Sequence, residues 1–264
     1  MALWEHKLSR PKELSVEPAK RSLFSFTVCQ LLTIKSRSYP VNSYPLPMRL
    51  AFQDELDSIS RSQIHMATMV REAMNDATRS LLSADINLAE KVIAEDVRID
   101  NIQHDLDART INLIARQQPV AADLRVLVSN LRIGADLERM GDLAHHIAKQ
   151  ARMRYPNKSV PNELIPVITD MGKVLDRLID KLTAVMEFRD INRALELEKD
   201  DDEMDLLHRK LISILLGDEW SYGVEPAIDM TLLGRYYERC ADHAVSIARR
   251  VYYLVTGEFY SVEN

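Results

Sequence analysis

The strongest constraint on this chain is that its sequence is written twice. Residues 134–148 read GADLERMGDLAHHIA and residues 234–248 read GRYYERCADHAVSIA, identical at seven of fifteen positions at an offset of 100. An upstream pair aligns at an offset of 105: residues 96–106, DVRIDNIQHDL, match residues 201–211, DDEMDLLHRKL. Two matches at nearly one spacing define an internal repeat of about 100 residues, so the fold is a unit used twice.

The hydrophobic period says what the unit is made of. Leu164, Ile168, Met171, Leu175, Leu178, Leu182 and Val185 step by four and three without a break, the seam of a helix packed along one face. Ile133, Leu137, Met140, Ala144, Ile147 and Ala151 repeat the pattern. Leu233, Tyr237, Cys240, Ala244, Ile247, Val251 and Leu254 extend it, and Phe52, Leu56, Ile59, Met66, Val70, Ala73, Ala77 and Leu81 follow it with one gap. Breaks fall at Gln117-Gln118-Pro119, at 155–161 and at 217–223. The spacing predicts six long helices, at 52–82, 85–116, 120–154, 162–188, 190–216 and 225–257. The fold class expected is all-α: two tandem three-helix bundles, spectrin-repeat-like, at 48–157 and 158–264.

Composition removes the competing classes. Seven glycines and 6% aromatic residues in 264 argue against sandwiches and barrels, which need tight turns and strand formers. There is no glycine-rich phosphate loop. The net charge of −6 disfavours nucleic acid as a partner. No run of about 18 apolar residues exists, so no membrane-inserting helix is expected. Two distant cysteines, Cys29 and Cys240, form no disulfide framework or zinc spacing and fit a reducing cytoplasm.

Residues 1–47 differ from the rest. They hold five of the ten prolines and a charge of +4, leaving −10 for the remainder. The apolar stretch 22–34 imitates a signal-peptide core but lies too far in and lacks a small-residue cleavage site. This segment is expected to be a disordered or spurious extension.

The repeat also duplicates acids. The third helix of each unit carries a pair at i,i+4, Glu138/Asp142 and Glu238/Asp242, and the middle helix carries Asp96/Asp100 and Asp201/Asp205. Residues four apart share one helix face, and like charges there repel. Keeping the arrangement four times needs a reason, and one is a cation between the acids. Two such helices side by side offer a cage of hard oxygen donors suited to iron, manganese, magnesium or zinc. The eight candidate metal ligands are therefore Asp96, Asp100, Glu138, Asp142, Asp201, Asp205, Glu238 and Asp242. Any one pair alone is an ordinary solvated helix face, with Arg139 or Arg239 as counter-ion. At about 100° per residue the third-helix acids lie nearly opposite their seams and are expected at the surface.

Other residues take smaller roles. His146 lies one turn past Asp142 and is a further metal candidate, though a structural or solvated role is the ordinary expectation for it and for His104, His145, His208 and His243. Cys240 sits in the seam as a small buried hydrophobe. Gly134, Gly141, Gly234 and Ala241 mark places where a neighbouring helix comes close. No nucleophile–base pair or nucleotide loop is present, so no enzymatic activity is expected.

A three-helix unit used twice, each ending in an ER-x-x-D helix, resembles the PhoU family of phosphate-uptake regulators. ERMGDLAHHIA matches the first family motif, and YYERCADHAVSIARRVYYLVTGE, residues 236–258, matches the second over its whole length. The resemblance covers 48–264 and departs from the family at Cys240-Ala241, where a branched apolar residue and glycine are usual. It implies a cytoplasmic, non-enzymatic regulator that damps phosphate uptake and phosphate-starvation signalling when phosphate is plentiful. The implied partners are the ATPase subunit of the phosphate ABC importer, the sensor histidine kinase of the phosphate two-component system, and a second copy in a homodimer. It further implies multinuclear iron or zinc clusters on the eight acids.

Two rivals remain from the residues themselves. A metal-free helical scaffold would use the acids for solubility or partner contact. A ferritin-like di-iron protein would need Glu-x-x-His pairs pointing into a four-helix bundle. Asp142-x-x-His145 and Asp205-x-x-His208 only approximate that pattern.

Overall fold

The computed structural model describes residues 46–260. They form α1 (Leu46–Ser83), α2 (Ile86–Gln117), α3 (Ala122–Arg154), a 3-10 turn at Asn162–Leu164, α4 (Ile165–Phe188), α5 (Ile191–Leu215) and α6 (Val224–Thr256). Among the described residues there is no strand, and no helix is long and apolar enough to cross a membrane. The expected helices are all present. The largest difference is α1, which begins six residues before position 52. The expectation for residues 1–45 lies outside the described residues.

Local chemistry places the helix ends. Asp85 caps α2 by accepting the Leu88 N–H at 3.1 Å, and Asp190 caps α5 by accepting from the Asn192 and Arg193 N–H groups, satisfying donors that have no intrahelical partner. Gly223 and Gly257 bound α6 with φ of +89° and +80°, a region glycine enters without a Cβ clash. Pro166 lies in the first turn of α4, where a missing N–H costs nothing.

The helices pack as two triplets that share a centre. α1, α2 and α3 contact one another, as do α4, α5 and α6. In addition α1 lies on α4 and α3 on α6. Four helices therefore close a ring, α1–α3–α6–α4, with α2 and α5 laid on its two flanks. Position in this scheme sets burial. Every seam residue from Leu164 to Val185 and from Ile133 to Ala151 is buried, and each large one contributes about 1.5–3 kcal/mol by leaving water. The flanking α5 buries only Ala194, Leu197, Met204, Leu211 and Leu215.

Polar contacts join the repeats inside this packing. The Thr78 and Tyr237 hydroxyls share a buried hydrogen bond of 2.7 Å between α1 and α6. Arg71 on α1 forms a two-pronged bond to Asp176 on α4, at 2.7 and 2.9 Å. α3 and α6 run antiparallel along their lengths: Arg125 is at Gly257, Asp136 at Ser246, His146 at Tyr236 and Arg154 at Asp229.

Candidate metal centre

The acids of each repeat lie along the cleft where the flanking helix packs on the third helix, within electrostatic reach of one another. In the first repeat, Asp96 of α2 hydrogen-bonds the His145 imidazole of α3. A Cβ placed on Gly141 would stand 3.7 Å from an Asp96 carboxylate oxygen. Glycine at 141 is what lets this approach happen: the same Cβ would lie 3.1 Å from Ile99. Gly234 does the same for α5 and α6, since a Cβ there would meet Leu211 at 2.5 Å. Gly134 departs from the expectation, with nothing closer than 4.0 Å to its added Cβ. Ala241 is fully buried.

The pairs expected on separate helices influence one another electrostatically. Burial lifts the Asp100 carboxyl above its ordinary range, and the charges of Asp96 and Asp142 lift it further. Glu138 is raised likewise, by burial and then by Asp142, with smaller contributions from Asp100 and Asp96. In the second repeat Asp201 is pushed up to about 6, by burial first and then by Asp205, Asp242, Asp202 and Glu238. Like charges held together disfavour their own ionisation. In both repeats the acids of the middle and third helices thus lie near enough to perturb one another's charge, a convergence that spacing alone does not show.

Their exposure corrects one expectation. Asp205 and Asp242 are exposed, but Asp96, Asp100, Glu138, Asp142, Asp201 and Glu238 are half-buried. Asp96 and Glu238 retain only 13% and 15% side-chain exposure. A helical wheel assigns one buried face per helix, whereas α3 and α6 are each covered on three sides. The acids sit in the flanking clefts and not inside the central ring, unlike the inward arrangement of a ferritin-like site.

The two clefts are balanced differently. Arg139 pairs with Asp142 at 2.8 Å and reaches Glu138 at 3.7 Å. In the second repeat Arg235, which replaces Ala135, pairs with Glu238. Sequence spacing could have found Arg235, since opposite charges three apart on a helix meet. The histidines also sort out. His145 lies in the first cleft, with its Nε2 buried and without a hydrogen-bond partner. His146, a candidate ligand by spacing, stacks on Tyr236. His243 bonds Asp136 at 3.0 Å. Cys240 is buried as expected, and burial pushes its thiol well above the ordinary range.

The residues fit a hard cation. Each donor set is dominated by carboxylate oxygens that repel one another, and the first cleft adds an orphaned imidazole nitrogen. Among the described residues, no group of three or more His, Cys, Asp or Glu side chains is already gathered as a metal ion would need. Loading would therefore draw the carboxylates inward and displace Arg139 and Arg235 from them.

The fold and these clefts define a class: a duplicated three-helix protein with one acid-lined cleft per repeat and no transmembrane helix among the described residues. Comparison with known proteins is specific. The PhoU domain model matches twice, at residues 64–151 and 168–251, and the chain belongs to the PhoU family. Over 212 residues it is 42% identical to the phosphate-specific transport system accessory protein PhoU homolog 2 of Mycobacterium tuberculosis, covering 80% of this chain and all of the relative. The PhoU homolog of Clostridium acetobutylicum is 32% identical over 214 residues, covering 80% of this chain and 96% of that protein. Among solved structures, the phosphate transport system regulatory protein PhoU of Streptococcus pneumoniae superposes with a TM-score of 0.72 at 26% identity, covering 80% of this chain and all of that one. PhoU of Pseudomonas aeruginosa does so at 0.69 and 27%, covering 78% and 100%.

Proposed function

We propose that this protein is an accessory regulator of a phosphate-specific transport system. It acts by docking on the importer's ATPase subunit and on the sensor kinase of the phosphate-starvation response, and it performs no catalysis itself. The relatives named above carry the first half of this reading, since both are accessory proteins of phosphate-specific transport. The same reading places the protein in the cytoplasm, where those partners present their soluble faces.

The paired clefts supply the second half. The observation that carries it is the crowding of four acids at equivalent places in both repeats, with Asp201 lifted to about 6. In this reading Asp96, Asp100, Glu138 and Asp142 hold one iron or zinc cluster, and Asp201, Asp205, Glu238 and Asp242 hold the other, with manganese or magnesium as alternatives. Bound cations remove the repulsion and leave an open coordination side where a partner's carboxylates or phosphate reach the metal. Self-association belongs to the same reading: Val224, Ile228 and Leu232 form an exposed apolar row on one face of α6.

A second reading has its own support. Arg139 already pairs with Asp142 and Glu138 in the first cleft and Arg235 with Glu238 in the second, so the sets would serve a metal-free scaffold as a charged docking face. The test separates them. The protein, purified from its own host without chelators, is assayed for metal content and for capture of the importer ATPase and sensor kinase, with and without phosphate. Metal in both clefts and phosphate-dependent capture are expected. Capture without metal would leave the scaffold reading, and capture of neither partner would overturn the regulatory one.

A further inference from the structure

A groove that borders the second acid cleft at Asp242 runs between the N-terminal half of α3 and the C-terminal half of α6. Its volume is about 620 Å³, within the range that holds a small molecule. One wall is a stripe of α3, with Arg125, Val128 and Arg132 at i, i+3 and i+7. The other is a stripe of α6, with Ser246, Arg250 and Tyr253.

The charges here are not self-satisfied. Arg249 pairs with Glu198 and Arg250 with Asp136. Arg125 and Arg132 have no ion pair among the described residues, and the Arg125 Nε is buried without a hydrogen-bond partner. A buried guanidinium nitrogen without an acceptor carries an uncompensated desolvation cost. One carboxylate, Asp242, is the sole acid among the lining residues. The groove therefore asks for an anion, and guanidinium forks match phosphate oxygens.

The same groove carries a column of flat groups. The Arg125 guanidinium lies over the Tyr253 ring at 5.4 Å. Tyr253 stacks on Phe259 with centroids 4.4 Å apart and planes at 11°. Phe259 is 78% exposed, so its outer face ends the column uncovered among the described residues. Seven helical residues separate Arg125 from Arg132, about 10 Å along the axis. A ligand with an aromatic ring at one end and several negative charges strung from it meets both features at once.

We propose that this groove binds a nucleotide, with the base stacked on Phe259 and the phosphates running along Arg125 toward Arg132. Asp242 in the groove's lining repels phosphate unless a divalent cation accompanies it, so the ligand enters as its magnesium complex. The site borders the second metal cleft at Asp242, their one shared residue among those named, while the Arg125, Arg132 and Phe259 contacts are its own; the α3–α6 contact that forms it joins the two repeats, so occupancy would stiffen that contact.

The test is calorimetric titration of the full chain with ATP, GTP, CTP and UTP in the presence of magnesium, beside tripolyphosphate as a base-free control. At least one nucleotide is expected to bind in the micromolar range. Arg132→Gln should weaken it about tenfold through the lost charge-assisted contact. Phe259→Ala should weaken the nucleotide severalfold and leave tripolyphosphate unchanged. Both side chains are exposed, so folding is not at stake. No heat from any nucleotide at about 1 mM would overturn the proposal. Tripolyphosphate binding as tightly as the nucleotides, indifferent to Phe259→Ala, would overturn the nucleotide assignment and leave a simple anion site.

Discussion

His146 and Tyr236 stack across the α3–α6 contact with centroids 5.3 Å apart and planes at 20°, while their repeat-mates Ser246 and Asp136 meet through a hydrogen bond of 3.1 Å. One two-fold-like relationship thus brings the same pair of positions together twice, once as an aromatic stack and once as a polar network. The repeat supplies the backbone symmetry, and each copy fills the contact with its own chemistry. The polar version is the more elaborate: Asp136 also takes the His243 imidazole at 3.0 Å and the Arg250 guanidinium at 3.2 Å.

That network should make stability depend on pH. Burial on its own raises the Asp136 carboxyl, but hydrogen bonds from His243 and Arg250 outweigh it and leave the group below its ordinary range. A carboxylate lowered in the folded state stabilises above the unfolded pKa of about 4 and loses that contribution as pH falls through the lowered value. Asp136→Asn should therefore cost about 2 kcal/mol at neutral pH, the scale of a broken, largely buried pair. Urea unfolding at neutral pH and at about pH 3 checks this: the gap between variant and parent should shrink in acid. A gap that stays constant would mean that shape and not charge sets the cost.

The acid clefts carry the opposite sign. Asp201 is raised to about 6, so between the unfolded pKa of about 4 and that value the folded chain binds the extra proton. Metal-free protein should gain stability as pH falls through this window. Asp201→Asn should stabilise the metal-free chain at neutral pH by about 1 kcal/mol, discounted because the group is only half-buried. The same variant should lose metal from the second cleft. Thermal melts and metal titration of one preparation test both. Lower stability would mean that Asp201 is balanced by a partner and not strained by its neighbours.

What the sequence made legible follows from what repeats. The seams of α3, α4 and α6 were readable because unbroken four-three steps have one explanation, and the eight acids because duplication singles them out from other surface charges. Asp136 was invisible: its repeat-mate is Tyr236, so no duplicated signal marked it, and its partners His243 and Arg250 lie more than 100 residues away. Arg125 and Arg132 escaped for the same reason, facing Glu225 and Leu232 at the equivalent positions. The partial burial of the third-helix acids is not legible, because one helical wheel cannot show that the flanking helices, α2 on α3 and α5 on α6, cover a second side of each third helix.

Glycines 134 and 234 occupy the same place in the two repeats and should respond differently to the same change. At Gly134 an added methyl has no neighbour closer than 4.0 Å, so Gly134→Ala should stabilise by up to about 1 kcal/mol through helix propensity. At Gly234 it would stand 2.5 Å from the buried Leu211 and 3.1 Å from His208. Gly234→Ala should lose that gain and cost about 1 kcal/mol more, because Leu211 is fully buried and must displace its packing to move. Melting temperatures of the two variants give the comparison, and equal shifts would mean that α5 moves aside freely.

The bond between Thr78 and Tyr237 offers a test of energetic coupling between the two repeats. It is buried, 2.7 Å long, and joins α1 of the first repeat to α6 of the second, while Thr78 also fills the space left by Gly172 on α4. Thr78→Val keeps the shape but leaves the Tyr237 hydroxyl without a partner in a site with no exposure, which should cost about 1–3 kcal/mol. Tyr237→Phe strands the Thr78 hydroxyl less severely, because Thr78 still donates to the Met74 carbonyl at 2.8 Å, so about 1 kcal/mol is expected. The double variant removes both groups and should recover most of the larger loss, giving a coupling of about 1 kcal/mol between residues in different repeats. Denaturant unfolding of the four chains closes the cycle. Strict additivity would show that the two hydroxyls do not act together.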